Sequence, residues 1–130
     1  MPKYTAIVTI LSVLLYLYIG TRVSAARRQF GVKLPAVSGH PDFERVFRAH
    51  MNTLEWMPIY LPLLWLAAVY LNDIAAAAAG VIWIIGRAMY SAGYAEAVAK
   101  RSRGFFVQAM ACLLLLIGAV AGIAMHLVAG

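Results

Sequence analysis

Acidic residues are nearly missing from this chain. Asp and Glu number five in 130 residues, and charged residues of both signs make up only 12%, where a soluble domain carries about 25%. That scarcity excludes an ordinary water-facing surface. Cysteine is rarer still. Cys112 stands alone inside an apolar run, which excludes a disulfide framework and leaves it as a small apolar side chain. The three histidines are scattered and share no metal-ligand spacing with that cysteine, so no metal is expected. There is no Gly-rich phosphate loop and no Ser-His-Asp order. Neither an internal repeat nor a low-complexity linker breaks the chain.

What is abundant is hydrocarbon. Hydrophobic residues make up 64% of the chain and the mean hydropathy is +0.82, values that belong to an integral membrane protein. Four apolar segments stand out: Tyr4–Thr21, Trp56–Asn72, Ile74–Gly86 continuing past Arg87 to Ala95, and Gly104–Met125. A span needs about 20 residues, so four spans joined by short loops use almost the whole chain. The expectation is an all-α, four-helix membrane bundle forming a single unit over residues 1–130, with no room for a soluble domain. The first segment is too long, and too weakly preceded by charge, for a cleaved signal peptide, and is read as an uncleaved span.

Local signals place the helices. The first should run from about Tyr4 to Arg28, followed by a loop over Gly31–His40 with Pro35 and Gly39. Pro41 suits the first turn of the second helix, with Asp42 and Glu44 at its positive end. That helix should reach about Leu71, with Pro58 and Pro62 as sites of bending. Asn72-Asp73 forms a tight turn with Asp73 as N-cap of the third helix, which should run to about Ala99. Lys100–Arg103 is the next turn, with Ser102 as a cap, and the fourth helix reaches nearly to Gly130. The run Ala75–Ala79 followed by Gly80 offers a smooth surface for close helix approach.

A formal charge of +6 invites a nucleic-acid partner, but its distribution points elsewhere. Lys and Arg gather at Arg22, Arg27, Arg28 and Lys33, and again at Lys100, Arg101 and Arg103. The opposite ends of the spans carry only Lys3, Asp73 and His126. The positive-inside rule puts both basic loops in the cytoplasm and both termini on the other side, so membrane lipid and not nucleic acid is the expected partner.

Within the second helix, Arg45, Arg48, Asn52 and Glu55 step by three and four and share one face. Charges at membrane depth cost roughly 2.5–3.5 kcal/mol each on insertion scales, so they need partners in the protein or on a polar ligand. Arg87, Tyr90 and Tyr94 make a second stripe on the third helix, with Arg101 just beyond it and Arg27 at the same level on the first. Several cations, two phenols, an amide and one carboxylate suit a small ligand with several carboxylates and one ammonium. The alternatives are plain. Glu55 with Arg48 or Arg87 would make a structural ion pair, the tyrosines would be interfacial aromatics, and the loop cations would be topology signals.

Two of these segments carry a family resemblance. Phe43-Glu44-Arg45-Val46-Phe47-Arg48-Ala49-His50-Met51-Asn52-Thr53-Leu54-Glu55-Trp56-Met57-Pro58 resembles the signature of the membrane-associated proteins in eicosanoid and glutathione metabolism, the MAPEG family. Gly86-Arg87-Ala88-Met89-Tyr90-Ser91-Ala92-Gly93-Tyr94 resembles its second signature, and Ala26-Arg27-Arg28 also matches. The resemblance covers essentially the whole chain and is closest to the branch of microsomal glutathione transferases and the glutathione-conjugating leukotriene synthase. It departs at Trp56, where that synthase has tyrosine, and at His50, where it has glutamine.

The resemblance implies a homotrimer of four-helix subunits with glutathione bound between neighbours near the cytosolic face. By position, Arg27, Arg48, Asn52, Glu55, Tyr90 and Tyr94 would hold the tripeptide, and Arg101 would be the catalytic, thiol-activating arginine. The implied activity is a glutathione transferase, extending to a glutathione-dependent peroxidase. Its thiolate would attack a lipophilic electrophile or a lipid hydroperoxide that arrives from the bilayer. The rival reading within the family is a non-catalytic lipid-binding scaffold, and Arg101 discriminates between them. Outside the family, a structural or transport bundle would apply if glutathione does not bind.

Overall fold

The computed structural model describes residues 1–130 as four long helices and no strand. They are α1 (Lys3–Phe30), α2 (Pro41–Tyr70), α3 (Asp73–Glu96) and α4 (Ser102–Ala129), with a 3-10 turn at Val98–Arg101 leading into α4. Each of α2 and α3 packs against the other three long helices.

The helix ends follow from local chemistry. Arg27 and Arg28 lie at the negative end of α1, and Gly31, at φ 67°, closes it with its N–H bonded to the Arg27 carbonyl, a left-handed conformation that glycine takes without steric penalty. At the start of α2, His40 Nδ1 accepts from the Asp42 N–H at 3.1 Å. Pro41 occupies the first turn beside Asp42 and Glu44, as the sequence predicts. The helix then runs without interruption through Pro58 and Pro62.

Three expectations are corrected. The N-cap of α3 is Asn72, whose Oδ1 accepts from the Ala75 N–H at 2.9 Å. Asp73 turns across to α1 instead and accepts from the N–H groups of Thr5 at 2.9 Å and Tyr4 at 3.1 Å. The first amides of α1 have no partner of their own, and Pro2 before them offers no side-chain cap, so the carboxylate is drawn there. Secondly, α3 stops at Glu96 and not Ala99, because Ala97 is extended at φ −162°, ψ 148° and the 3-10 turn folds back over Gly93. Thirdly, Ser102 caps nothing. The turn feeds directly into α4 with helical backbone, so no cap position exists.

By length and composition, three helical stretches are apolar enough to cross a membrane: α1, α3 and the continuous Val98–Ala129. The expected fourth, α2, is not among them, since its polar first half and two prolines lower its hydropathy. At 30 residues and 1.5 Å rise it is about 45 Å long, and its buried face packs among the other three. Tyr60 of α2 stacks flat on Trp83 of α3 at 3.8 Å, and its hydroxyl hydrogen-bonds Ser12 of α1 at 2.8 Å. Ala76, Ala77, Ala79 and Gly80 are buried in this core, so the alanine run does provide a close-packing surface. Leucines, isoleucines and valines such as Ile7, Leu14, Leu113 and Ile117 cover the outside. A hydrocarbon solvent accepts that surface and water does not. The chain is therefore an integral membrane protein, with the α1–α2 and α3–α4 connections at one end and the termini and the short α2–α3 turn at the other.

Candidate functional site

The polar residues of α2 gather toward the loop end. Arg48 Nη2 lies 3.7 Å from Glu55 Oε1, both side chains about half exposed. Between them on the same face, Asn52 Nδ2 lies 3.4 Å from the same Glu55 oxygen. Of the ion pairs foreseen for Glu55, the one with Arg48 forms, at the surface and loosely. The one with Arg87 does not.

Arg87 turns inward instead. It is wholly enclosed, and its guanidinium donates to three neutral oxygens: Asn52 Oδ1 at 2.9 Å, Thr53 Oγ1 at 3.3 Å and Gln108 Oε1 at 3.4 Å. Its charge also lies 4.5 Å from the centre of the Tyr90 ring. Thr53 and Gln108 were not singled out in the sequence. Gln108 had a signal: it is the one side-chain amide in the apolar run Gly104–Met125, and lone polar groups in spans call for partners. Thr53 had none, because the stripe it adjoins is defined by its neighbours.

Two glycines set this geometry. A Cβ on Gly104 would sit 2.1 Å from the Tyr90 backbone nitrogen, and one on Gly86 would sit 2.5 Å from the Gln108 nitrogen. Only without those methyls do α3 and α4 come close enough for Gln108 to reach Arg87. The same approach sets Phe105 beside Tyr90, ring centres 6.1 Å apart, and edge-on to Trp56 at 5.6 Å. Tyr94 meets Tyr90 edge to face at 5.5 Å. Arg101 then lies 5.8 Å from the Tyr94 ring while donating to the Val98 carbonyl at 2.7 Å. The 3-10 turn is what carries it back to α3.

Not every expected residue joins. Arg27 stays with its own loop, donating to the carbonyls of Ala36 at 2.6 Å and Val32 at 3.3 Å and lying 4.8 Å over Phe43. Arg45, the first member of the α2 stripe, pairs with Asp42 and reaches the Ala95 carbonyl near the end of α3. There it meets a backbone oxygen that the helix end leaves open. His50 faces α1, 4.8 Å from the Tyr16 ring and against Gly20.

The structure thus brings together Arg48, Asn52 and Glu55 with Tyr90, Tyr94 and Arg101, over a buried Arg87. Arg48, half exposed, and Arg101, partly exposed, offer forks that fit carboxylates, Glu55 offers an acceptor for an ammonium, and Asn52 offers an amide between them. Trp56 and Phe105 supply an aromatic wall beside the phenols. Arg48 and Glu55 remain about half exposed in this cluster. A cleft of about 390 Å³ between α1, α2 and α3, with Ile19, Arg22, Ala49 and Ser91 in its lining, shares no residue with it.

The family model described as "MAPEG family" matches residues 5–121. Human microsomal glutathione S-transferase 2 is 44% identical over 88% of this chain and 79% of its own length. Rat leukotriene C4 synthase is 40% identical over 96% of this chain and 83% of its own. The uncharacterized protein sll1147 of Synechocystis is 41% identical over 92% of this chain and 88% of its own.

Proposed function

The chain belongs to the MAPEG family, and from that premise we propose that it is a membrane glutathione transferase with the site assembled by α2, α3 and the turn before α4. The observation that carries this is the set of unfilled polar groups at one end of an apolar protein. Arg48, Glu55, Tyr94 and Arg101 are at least partly exposed, and the contacts they make to each other are long. Buried or membrane-level charges are tolerated when something pairs with them, and a tripeptide with two carboxylates and an ammonium supplies those partners. Arg48 would meet a carboxylate and Glu55 the ammonium.

Arg101 would stand by the thiol. Free thiols titrate near pH 8.5, and a neighbouring cation lowers that value, so more of the reactive thiolate is present at neutral pH. The sulfur then attacks an electrophilic carbon. With a chloronitroarene, the S–C bond forms, the C–Cl bond breaks, chloride departs with the bonding pair, and the thiol proton goes to water. With a lipid hydroperoxide, the thiolate takes the outer oxygen and the lipid leaves as its alcohol. A second glutathione then reduces the sulfenic acid, giving glutathione disulfide and water. The electrophile enters along the aromatic wall of Trp56 and Phe105 from the bilayer.

The exposure of Arg48 and Glu55 leaves room for an adjacent copy to close the site in the homotrimer of four-helix bundles that the family resemblance implies. Arg27, remote from the cluster within one chain, would then join from that copy. The basic loops would face the cytoplasm, where glutathione is abundant, and the termini the opposite side.

The test uses detergent-purified protein. Millimolar glutathione should raise its melting temperature, and conjugation to a chloronitrobenzene should exceed the uncatalysed rate. Absence of both would overturn the reading.

A further inference from the structure

The role of Arg87 lies outside the set of groups assigned to the ligand, and its enclosure keeps it from touching one. It is 0% exposed, yet one of its donors ends on Asn52, which is only half-buried. We propose that Arg87 is a positioning residue that turns the Asn52 amide so that the oxygen faces inward and the NH2 faces the site, making Asn52 a pure donor toward a carbonyl or carboxylate oxygen of the ligand. The inference rests on the glutathione reading above and adds the polarity of one contact and its cause.

The physical reason is that a guanidinium has five N–H donors and no acceptor. A carboxamide is nearly symmetric in shape, so packing alone does not choose its orientation. Beside a buried guanidinium only one choice is tolerable. With Oδ1 inward, Asn52 accepts from Arg87 Nη2 at 2.9 Å. Reversed, two donors would meet at that distance with no water between them. The outward NH2 then has one hydrogen directed to Glu55 Oε1 at 3.4 Å and a second free for the ligand.

Gln108 shows the same force at work. Its Oε1 faces Arg87 at 3.4 Å, although this leaves its Nε2 buried with no partner. An amide that accepts a stranded NH2 in order to keep its oxygen on the guanidinium is oriented by that charge. Thr53 agrees: its hydroxyl donates to the Ala49 carbonyl at 2.8 Å, which leaves a lone pair for Arg87 Nη1 at 3.3 Å. Every side-chain oxygen bonded to Arg87 thus presents a lone pair inward, and of these side chains only Asn52 has its other end in the site.

Glutathione binding to the detergent-purified protein tests this through two replacements at 87 that separate donor character from stability. Arg87→Lys keeps a donor-only cation. Arg87→Gln is neutral and cheaper to bury, but it can donate or accept, so it holds the Asn52 amide in either direction. The expected result is opposed rankings. Arg87→Gln should have the higher ligand-free melting temperature, yet raise the glutathione KM about fivefold or more with kcat changed less than about twofold. Arg87→Lys should remain within about twofold of the parent KM. In an Asn52→Ala background, Arg87→Gln should add no further loss, the coupling expected when one residue acts through another.

Asn52→Asp is the check that leaves Arg87 in place. It still accepts from Arg87 but has nothing to donate outward, and should bind glutathione no better than Asn52→Ala. A KM that tracks stability across the two Arg87 variants, losses that multiply in the double variant, or parent-like binding by Asn52→Asp would each overturn the proposal alone. Failure of the parent protein to bind glutathione would overturn the glutathione reading and this inference together.

Discussion

The two halves of α2 handle polarity in opposite ways. From Met57 to Tyr70, the polar groups with the closest contacts are matched inside the chain. Tyr60 hydroxyl meets Ser12 at 2.8 Å, and Trp65 Nε1 donates to Thr9 Oγ1 at 3.0 Å. Both bonds tie α2 to α1 within the apolar layer. From Arg48 to Trp56, the contacts on the outer face are longer and the groups more exposed: 3.7 Å between Arg48 and Glu55, and 3.4 Å between Asn52 and Glu55. Matched neutral pairs of the first kind hold helices together where no water competes. Charges of the second kind, loosely paired and facing outward, hold capacity in reserve. Beneath them Arg87 of α3 is enclosed and bonded to three oxygens, and it forms the floor on which they stand.

The strongest way to break this contrast is to force α3 and α4 apart where they support the open half. Gly104→Ala puts a methyl 2.1 Å from the Tyr90 backbone, and overpacking of this kind costs about 1–3 kcal/mol. Thermal unfolding in detergent should show that loss. Conjugation should fall more than stability alone explains, because Gln108, Tyr90 and Arg101 shift together. Unchanged melting and unchanged rate would mean that the close approach does not position the site.

Next comes Arg101, the cation proposed to stand by the thiol. Arg101→Ala should leave glutathione affinity mostly intact and raise the bound thiol's pKa. One unit corresponds to about 1.4 kcal/mol, so conjugation near neutral pH should drop by about tenfold. The sign fixes the rest of the profile: a thiol that titrates higher forms its thiolate only at higher pH, so the rate should recover as pH rises toward about 9. A pH–rate curve that superimposes on the parent's would leave Arg101 as a topology charge beside Lys100 and Arg103.

Arg48→Ala and Glu55→Ala sharpen the contrast from the binding side. Each removes a proposed charged anchor for the ligand, so the glutathione KM should rise about five- to tenfold with kcat nearly unchanged. Stability should barely move, since exposed ion pairs contribute about 0–1 kcal/mol. A large drop in melting temperature would mean that the pair is structural after all.

The matched half should give the smallest effects and on a different axis. Tyr60→Phe and Ser12→Ala each remove one interhelical hydrogen bond, worth about 0.6 kcal/mol on average in such a setting. Melting should fall slightly and glutathione KM should stay put. A change in KM would couple the two halves and end the distinction between them.

Much of the fold could be read in the sequence because its signals are local. Apolar length marks a span, Pro41 marks a helix start, and Gly31 after Arg27-Arg28 marks an end. Where a neighbour decided the matter, local signals misled. Asp73 has the chemistry of an N-cap but serves α1, whose first amides lie beside it. Nothing at Ala97 announces that α3 ends there. The break arises where the turn folds back over Gly93.

The candidate site divides along the same line. Spacing alone put Arg48, Asn52 and Glu55 on one helix face and Tyr90 and Tyr94, with Arg101 beyond them, on another, because 3.6 residues per turn is a property of the backbone; the family resemblance added only the roles. Spacing could not tell that Arg45 would turn to Asp42 and Ala95, or that Arg27 would stay with its loop carbonyls, since a long side chain reaches whichever acceptor lies near. What the sequence determined by itself is a membrane protein of long helices with one polar end. What only the tertiary structure decided is the division of labour there. Gly86 and Gly104 let α3 and α4 touch, Gln108 thereby joins Thr53 of α2 around Arg87, and a buried guanidinium that only donates fixes how Asn52 presents itself outside.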